Sequence, residues 1–230
     1  MSLRVALWSC PRTVSTALMR SFAERPDTVC VDEPLYAGYL AGSGKQHPMR
    51  DEILAAGDPD LAAVAAPVVF EKHMAHHLNV VHQDEAFFAA RTHAFLIRDP
   101  AELILSMVRD LGEVGPEDLG FDRQAELWHR HGGPVVSSRD LLDDPEGMLR
   151  AFCRELGLAF DPGMLSWESG RHACYGVWAD FWYGNVEKST GFLPHQPKTE
   201  PFPEALLPLL EWARGQHAEL FEARLRPQPR

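Results

Sequence analysis

Four short segments concentrate the residues able to hold an anion or move a proton. Ser9-Cys10-Pro11-Arg12-Thr13-Val14-Ser15-Thr16 lies between an apolar run, Leu3–Trp8, and a helix-spaced stripe of Val14, Ala17, Leu18 and Phe22. A helix beginning there presents free N–H groups and the positive end of its dipole to an anion. Arg12 adds a charged fork, and Thr13, Ser15 and Thr16 add three hydroxyls. The segment lacks the glycines and the lysine of GxxxxGK[ST], so a helix cap at Ser15 or Thr16 with Arg12 on the surface is the competing explanation. In the second segment Arg98-Asp99-Pro100 follows the run Ala94–Ile97, and Ser106 stands eight residues beyond Arg98, about two turns along a helix opened by Pro100. Arg98 and Ser106 can converge there on one phosphate; the alternative is a surface pair of Arg98 with Asp99. The remaining two segments, Asp32-Glu33-Pro34 and Glu71-Lys72-His73-Met74-Ala75-His76-His77, supply carboxylates and imidazoles suited to proton transfer.

Each of these segments follows a short apolar run. Leu3–Trp8, Thr28–Val31, Val68–Phe70, Ala94–Ile97 and Val135–Ser137 read as strands. Helical stripes alternate with them: Leu103, Ile104, Met107, Val108 and Leu111; Met148, Leu149, Phe152 and Leu156; and a last one from Leu206 to Phe221. Fully apolar strands alternating with helices predict an α/β fold with three layers, α/β/α, around a mostly parallel sheet covered on both faces. In such sheets ligands bind beyond the carboxyl ends of the strands, which makes 9–16, 32–36, 71–77 and 98–106 the segments to watch. A chain of 230 residues suits a single domain over 1–230.

The two anion segments resemble the 5′-phosphosulfate loop and the 3′-phosphate motif of the sulfotransferase family, whose donor is 3′-phosphoadenosine 5′-phosphosulfate (PAPS). Pro11-Arg12-Thr13-Val14-Ser15-Thr16 is similar to the family's Pro-Lys/Arg-Ser/Thr-Gly-Ser/Thr-Thr, and Arg98 and Ser106 match its Arg-to-Ser spacing. Asp140-Leu141-Leu142-Asp143-Asp144-Pro145, with Leu156-Gly157-Leu158 and Phe160-Asp161, resembles a third stretch of the family. The likeness covers about 1–36 and 68–167. It implies a P-loop-type domain that binds PAPS through Arg12, Thr13, Val14, Ser15, Thr16, Arg98 and Ser106. It also implies in-line transfer of a sulfuryl group to a hydroxyl or amine, with Lys72 near the bridging oxygen. Glu33 is the favoured base and His73 the second choice. Val14 stands where the family has glycine, Arg139 where it commonly has glutamate, and Lys188-Ser189-Thr190 replaces its late basic phosphate segment unless it is a surface loop. A sulfuryl group carries less charge than a terminal phosphoryl group, so no metal is expected.

The rest of the sequence narrows the partners. Thirty-three acidic residues against 22 Lys and Arg give a net charge of −11, which argues against a nucleic-acid ligand. Aromatic residues between Trp167 and Phe192 (Tyr175, Trp178, Phe181, Trp182, Tyr183), with Tyr36 and Tyr39, suit a small apolar or aromatic acceptor, a plain core or a homodimer surface. His73 and His77 have helical zinc spacing, with His76, His82 and His93 nearby, but neither HExxH nor clustered cysteines accompany them. Cys10, Cys30, Cys153 and Cys174 form no CxxC pair, no run is long enough to span a bilayer, and the first strand leaves no room for a leader. A reduced, cytoplasmic protein is expected. Two other readings compete with the transferase: a non-catalytic nucleotide-binding module of the same fold, and an ATP-dependent P-loop kinase that would lack its Walker lysine.

Overall fold

Along strand β1 (Leu3–Ser9) the side chains of Val5 and Leu7 enter one hydrophobic core and those of Ala6 and Trp8 another, so this strand is buried on both faces. The computed structural model describes residues 2–197 and 200–228, and β1 is the middle of a five-stranded sheet. Its companions are β2 (Thr28–Asp32), β3 (Val68–Met74), β4 (Thr92–Ile97) and β5 (Val135–Ser137), in the order β2-β3-β1-β4-β5. Every neighbouring pair is parallel, with Leu3 opposite Val68 and Val5 opposite Thr92. All five carboxyl ends therefore reach one edge, at Ser9, Asp32, Met74, Ile97 and Ser137.

Helices cover both faces. In chain order they are α1 (Ser15–Ala23), α2 (Tyr36–Ser43), α3 (Arg50–Ala56), α4 (Glu85–Ala89), α5 (Pro100–Leu111) and α6 (Pro116–Leu119). There follow α7 (Phe121–His131), α8 (Ser138–Asp143), α9 (Pro145–Glu155), α10 (Ala179–Trp182), α11 (Gly184–Glu187) and α12 (Leu207–Glu222). Leu18 and Phe22 of α1 and Phe152 of α9 pack on Phe70 and Leu96 of the sheet, with the Phe22 and Phe70 rings stacked at 4.1 Å. On the opposite face Ala125 and Leu127 of α7 and Leu220 of α12 meet Trp8, Phe95 and Ile97. Each such side chain contributes about 1.5–3 kcal/mol by leaving water. Two Asp-Pro pairs start helices, Asp99-Pro100 beginning α5 directly after β4 and Asp144-Pro145 beginning α9 after α8. Asp99 accepts from the N–H groups of Ala101 and Glu102 at 2.9 and 3.1 Å, and Asp144 from that of Gly147 at 3.1 Å.

Two elements differ from the sequence expectation. The third strand does not stop at Phe70 but runs to Met74, because Glu71, Lys72 and His73 find buried partners on neighbouring elements. The glycine-rich stretch after β2 forms α2, ending at Gly44 with φ +68°. The sheet is wholly parallel among the described residues.

Candidate functional site

The turn from β1 into α1 is built to expose backbone N–H groups. Its carbonyls are taken by the protein: Thr13 Oγ1 donates to the Cys10 carbonyl at 2.8 Å, Arg98 Nη1 to that of Arg12 at 2.7 Å and Ser138 Oγ to that of Thr13 at 2.7 Å. Arg12 and Val14 both hold positive φ, +61° and +59°. Val14 therefore keeps the left-handed backbone that glycine supplies more easily, at a cost of about 1–3 kcal/mol. The helix N-terminus that follows carries no side-chain cap, so neither Ser15 nor Thr16 serves as one. Carbonyls turned away, N–H groups left open and a helix dipole behind them make an anion cradle.

Arg98, at the end of β4, shares a cavity of about 700 Å³ with this turn. Arg12, Thr13, Val14, Ser15 and Thr16 line it, as do Arg98 and Ser106. Arg98 does not pair with Asp99, which caps α5; its Nε and Nη2 donate to Glu102 Oε2 at 3.1 and 3.0 Å. Ser106 Oγ accepts from Arg12 Nε at 3.3 Å and from Arg109 Nη2 at 3.4 Å, while Asp110 Oδ2 lies 3.2 Å from Arg12 Nε. The two guanidinium groups expected at one ligand thus face one space, each with a carboxylate beside it that an incoming anion can displace.

The same cavity reaches Glu33 and Lys72. Lys72 Nζ stands 2.7 Å from Asp32 Oδ1 and 2.8 Å from Glu33 Oε1, and it also donates to the Tyr183 hydroxyl. The Lys72 side chain is 0% exposed, that of Asp32 1% and that of Glu33 9%. Burial pushes the Lys72 ammonium down, but Asp32 and Glu33 outweigh it and hold it above the usual lysine range. Burial pushes the Glu33 carboxyl up, Asp32 adds to this, and the pull of Lys72 does not cancel it. Glu33 has φ +40°, fixed by its N–H donating to the Lys72 carbonyl at 2.8 Å. All three ammonium protons of Lys72 have protein acceptors.

Not every expected residue comes here. His73 is a correction: because β3 continues as a strand, its ring turns to the sheet face opposite Lys72. There it stacks on Trp8 at 4.4 Å and meets Glu71 Oε2 at 3.1 Å, away from the cavity. Lys188 and Thr190 are a second correction: both are exposed and neither lines the cavity. Ser189 does line it, but its hydroxyl donates to the Val186 carbonyl at 2.8 Å and accepts from Trp167 Nε1 at 3.2 Å. His77 occupies the wall instead, its ring between those of Tyr36 and Tyr39 at 5.0 and 4.7 Å and its Nε2 4.0 Å from Glu33 Oε2. Burial, with His76 next to it, pushes His77 well down, so the ring is neutral. Of the aromatic segment, Trp182, Tyr183 and Phe192 line the cavity and Tyr36 joins them, while Trp167, Tyr175 and Trp178 are buried beneath it and Phe181 is exposed. Among the described residues no group of three His, Cys, Asp or Glu side chains is arranged to hold a metal ion. The four cysteines are unpaired thiols, and no helix among the described residues is long and apolar enough to cross a membrane.

A parallel sheet covered by helices on both faces, with an open turn after its middle strand, defines a P-loop-type fold. The model of the sulfotransferase domain matches residues 3–212, and the chain belongs to that family. It is 32% identical over 218 residues to branched-chain-amino-acid aminotransferase-like protein 2 of Arabidopsis thaliana, and 33% identical over 220 residues to protein 1 of the same name. Each match takes in 89% of this chain, and the chain spans 39% of the length of these curated relatives. Among solved structures it is similar to the sulfotransferase domain of the curacin biosynthetic pathway, at 15% identity with a TM-score of 0.56 over 99% of both chains. It is likewise similar to the sulfotransferase domain of the Synechococcus PCC 7002 olefin synthase, at 18% identity and a TM-score of 0.58 over 92% of this chain and 94% of that one. A sulfotransferase from Alicyclobacillus acidocaldarius aligns over 98% of both chains at 13% identity and a TM-score of 0.57.

Proposed function

We propose that this chain transfers a sulfuryl group from PAPS to the hydroxyl or amine of a small acceptor carrying an apolar or aromatic body. One observation carries the reading: the turn at Arg12, the Arg98–Ser106 pair and the Glu33–Lys72 pair all border the same cavity. The residues fit a doubly anionic adenosine compound. The open N–H groups at 14–17 and Arg12 suit its 5′ side, and Arg98 with Ser106 its 3′ phosphate. When bound, that donor supplies an activated sulfuryl group. Arg12 and the turn N–H groups take up the charge that grows on the leaving phosphate oxygen, from positions fixed before the reaction. Glu33, its carboxyl raised by burial, accepts the proton of the acceptor hydroxyl as that oxygen bonds to sulfur and the bond from sulfur to the leaving phosphate breaks. Lys72, with its protons committed to Asp32, Glu33 and Tyr183, orients the Glu33 carboxylate. Tyr36, Trp182 and Tyr183 wall the acceptor end and exclude water.

Thermal unfolding with adenosine 3′,5′-bisphosphate, ATP and Mg·ATP tests the ligand. The bisphosphate is expected to stabilise the chain by about 2.7 kcal/mol at a hundred times its Kd, with ATP much weaker at the same concentration. Arg98→Met is expected to weaken that binding by about 10–100-fold, the loss of one charged hydrogen-bonding group. Equal stabilisation by Mg·ATP would favour the kinase reading. Glu33→Gln is expected to lower transfer by about 10²–10⁴-fold while bisphosphate binding survives. A variant that keeps turnover removes Glu33 from the base role.

A further inference from the structure

Asp32 and Glu33 are adjacent in sequence and both bind Lys72, yet the surrounding hydrogen bonds treat them differently. A tyrosine hydroxyl has one proton and two lone pairs. That of Tyr183 accepts from Lys72 Nζ and, at 3.0 Å, from Trp178 Nε1, which fills both lone pairs. Burial, then Asp32 and Glu33, push the Tyr183 phenol far up, so it keeps its proton. Asp32 lies at 2.9 Å by either oxygen and Glu33 Oε1 at 3.4 Å, so the proton goes to Asp32. Asp32 thereby receives three donors: Lys72 at 2.7 Å, Tyr183 and the Gly176 N–H at 3.1 Å. Glu33 Oε1 receives Lys72, whereas Glu33 Oε2 has His77 Nε2 near it at 4.0 Å, beyond hydrogen-bond length. Of the two carboxylates, Glu33 lines the cavity and Asp32 does not.

We propose that Tyr183 is a positioning residue that closes a hydrogen-bonded knot on Asp32 and Lys72 and leaves Glu33 Oε2 as the carboxylate oxygen offered to the acceptor. The inference rests on the reading of Glu33 as the base and adds what selects it over its neighbour. Five groups face Glu33: Lys72 and His77 from β3 and the turn after it, Asp32 and Tyr36 from β2 and the start of α2, and Tyr183 from the end of α10. His77 is held neutral and Tyr36 protonated, so Lys72, Asp32 and Tyr183 set the Glu33 titration. Lys72 favours the ionised form of Glu33 and Asp32 opposes it, while the Tyr183 proton, given to Asp32, draws the charge of Asp32 away from Glu33.

Carboxyl NMR titration of the full chain labelled at the glutamate side-chain carbon, with Glu33→Gln to assign the signal, reads this without any acceptor. Tyr183→Phe is expected to move the Glu33 midpoint up and Asp32→Asn to move it down. With a purely packing role for Tyr183, the midpoint in Tyr183→Phe stays at the parent value. An unchanged or lowered midpoint in Tyr183→Phe overturns the proposal. Should that variant fail to fold, by its loss of adenosine 3′,5′-bisphosphate binding, an unshifted midpoint in Asp32→Asn overturns it instead. With 2-naphthol as acceptor, Tyr183→Phe is expected to lower kcat by about 10–100-fold through misplacement of the carboxylate, and to shift the acid limb of kcat in the same direction as the midpoint. Turnover retained by Glu33→Gln would defeat the base reading alone, because the titration in Tyr183→Phe stands apart from it.

Discussion

Lys72 shows how a single buried charge can hold a site together. It separates two carboxylates that would otherwise face each other out of water, so removing it costs more than the contacts it makes. Lys72→Met is expected to destabilise the fold by about 3–5 kcal/mol at neutral pH, the usual loss when one partner of a buried ion pair is deleted. The sign of the pH effect follows from what remains. Without the ammonium, burial and the charge of Asp32 raise the Glu33 carboxyl unopposed in the folded state. Groups raised by folding add stability below their unfolded pKa and lose it as pH rises through the folded one. Urea unfolding of Lys72→Met is therefore expected to show stability recovering as pH falls from 7 to 5, at least part of the deficit returning. Asp32→Asn in the same chain should restore part of the loss at pH 7, and additive effects of the two substitutions would contradict the coupling.

At the level of the element, β3 decides which side chains meet the ligand. Successive residues of a strand point to opposite faces, so Lys72 and Met74 reach the cavity while His73 packs on Trp8. His73→Phe is expected to leave adenosine 3′,5′-bisphosphate affinity within about twofold of the parent, since no contact to the cavity is lost; a calorimetric titration checks it. The same strand explains what the sequence could and could not convey. The Arg12 turn and the Arg98 segment were legible because each is local: a strand, a turn and a helix start within a few residues. Glu71-Lys72-His73 hid the end of the strand because charged residues in a row do not look like one. What makes them tolerable is a partner far away in the chain, Arg4 and Arg91 for Glu71 and Asp32 for Lys72. His77 was visible only as part of a histidine cluster, and its place between Tyr36 and Tyr39 depends on where α2 lies. Likewise the contact of His195 with Glu102 Oε1 at 2.8 Å joins residues 93 positions apart, which no local pattern marks. Val14 stands where the family has glycine, and the backbone nonetheless keeps a left-handed turn there.

Buried charge clusters lie on both faces of the sheet between its apolar cores, and the two meet at adjacent residues of β3. On the face away from the cavity Glu71 binds Arg4 of β1 at 2.9 Å, Arg91 at 2.6 Å and His73 at 3.1 Å, and is itself 0% exposed. Burial pushes the Glu71 carboxyl up, but His73 and Arg91 outweigh it and bring it down to about 2 from an ordinary 4.5. A carboxyl depressed by folding contributes stability that is present above its unfolded pKa and is lost as pH falls through the folded one. The fold is therefore expected to hold its Glu71 contribution down to about pH 4.5 and to lose it progressively between there and about pH 2. Glu71→Gln should lower stability at pH 7, leaving Arg91 without a charged partner, and should flatten the profile across that acid window. Urea unfolding of both chains from pH 7 to pH 2 measures the difference, and parallel profiles would show that other carboxylates carry the acid transition.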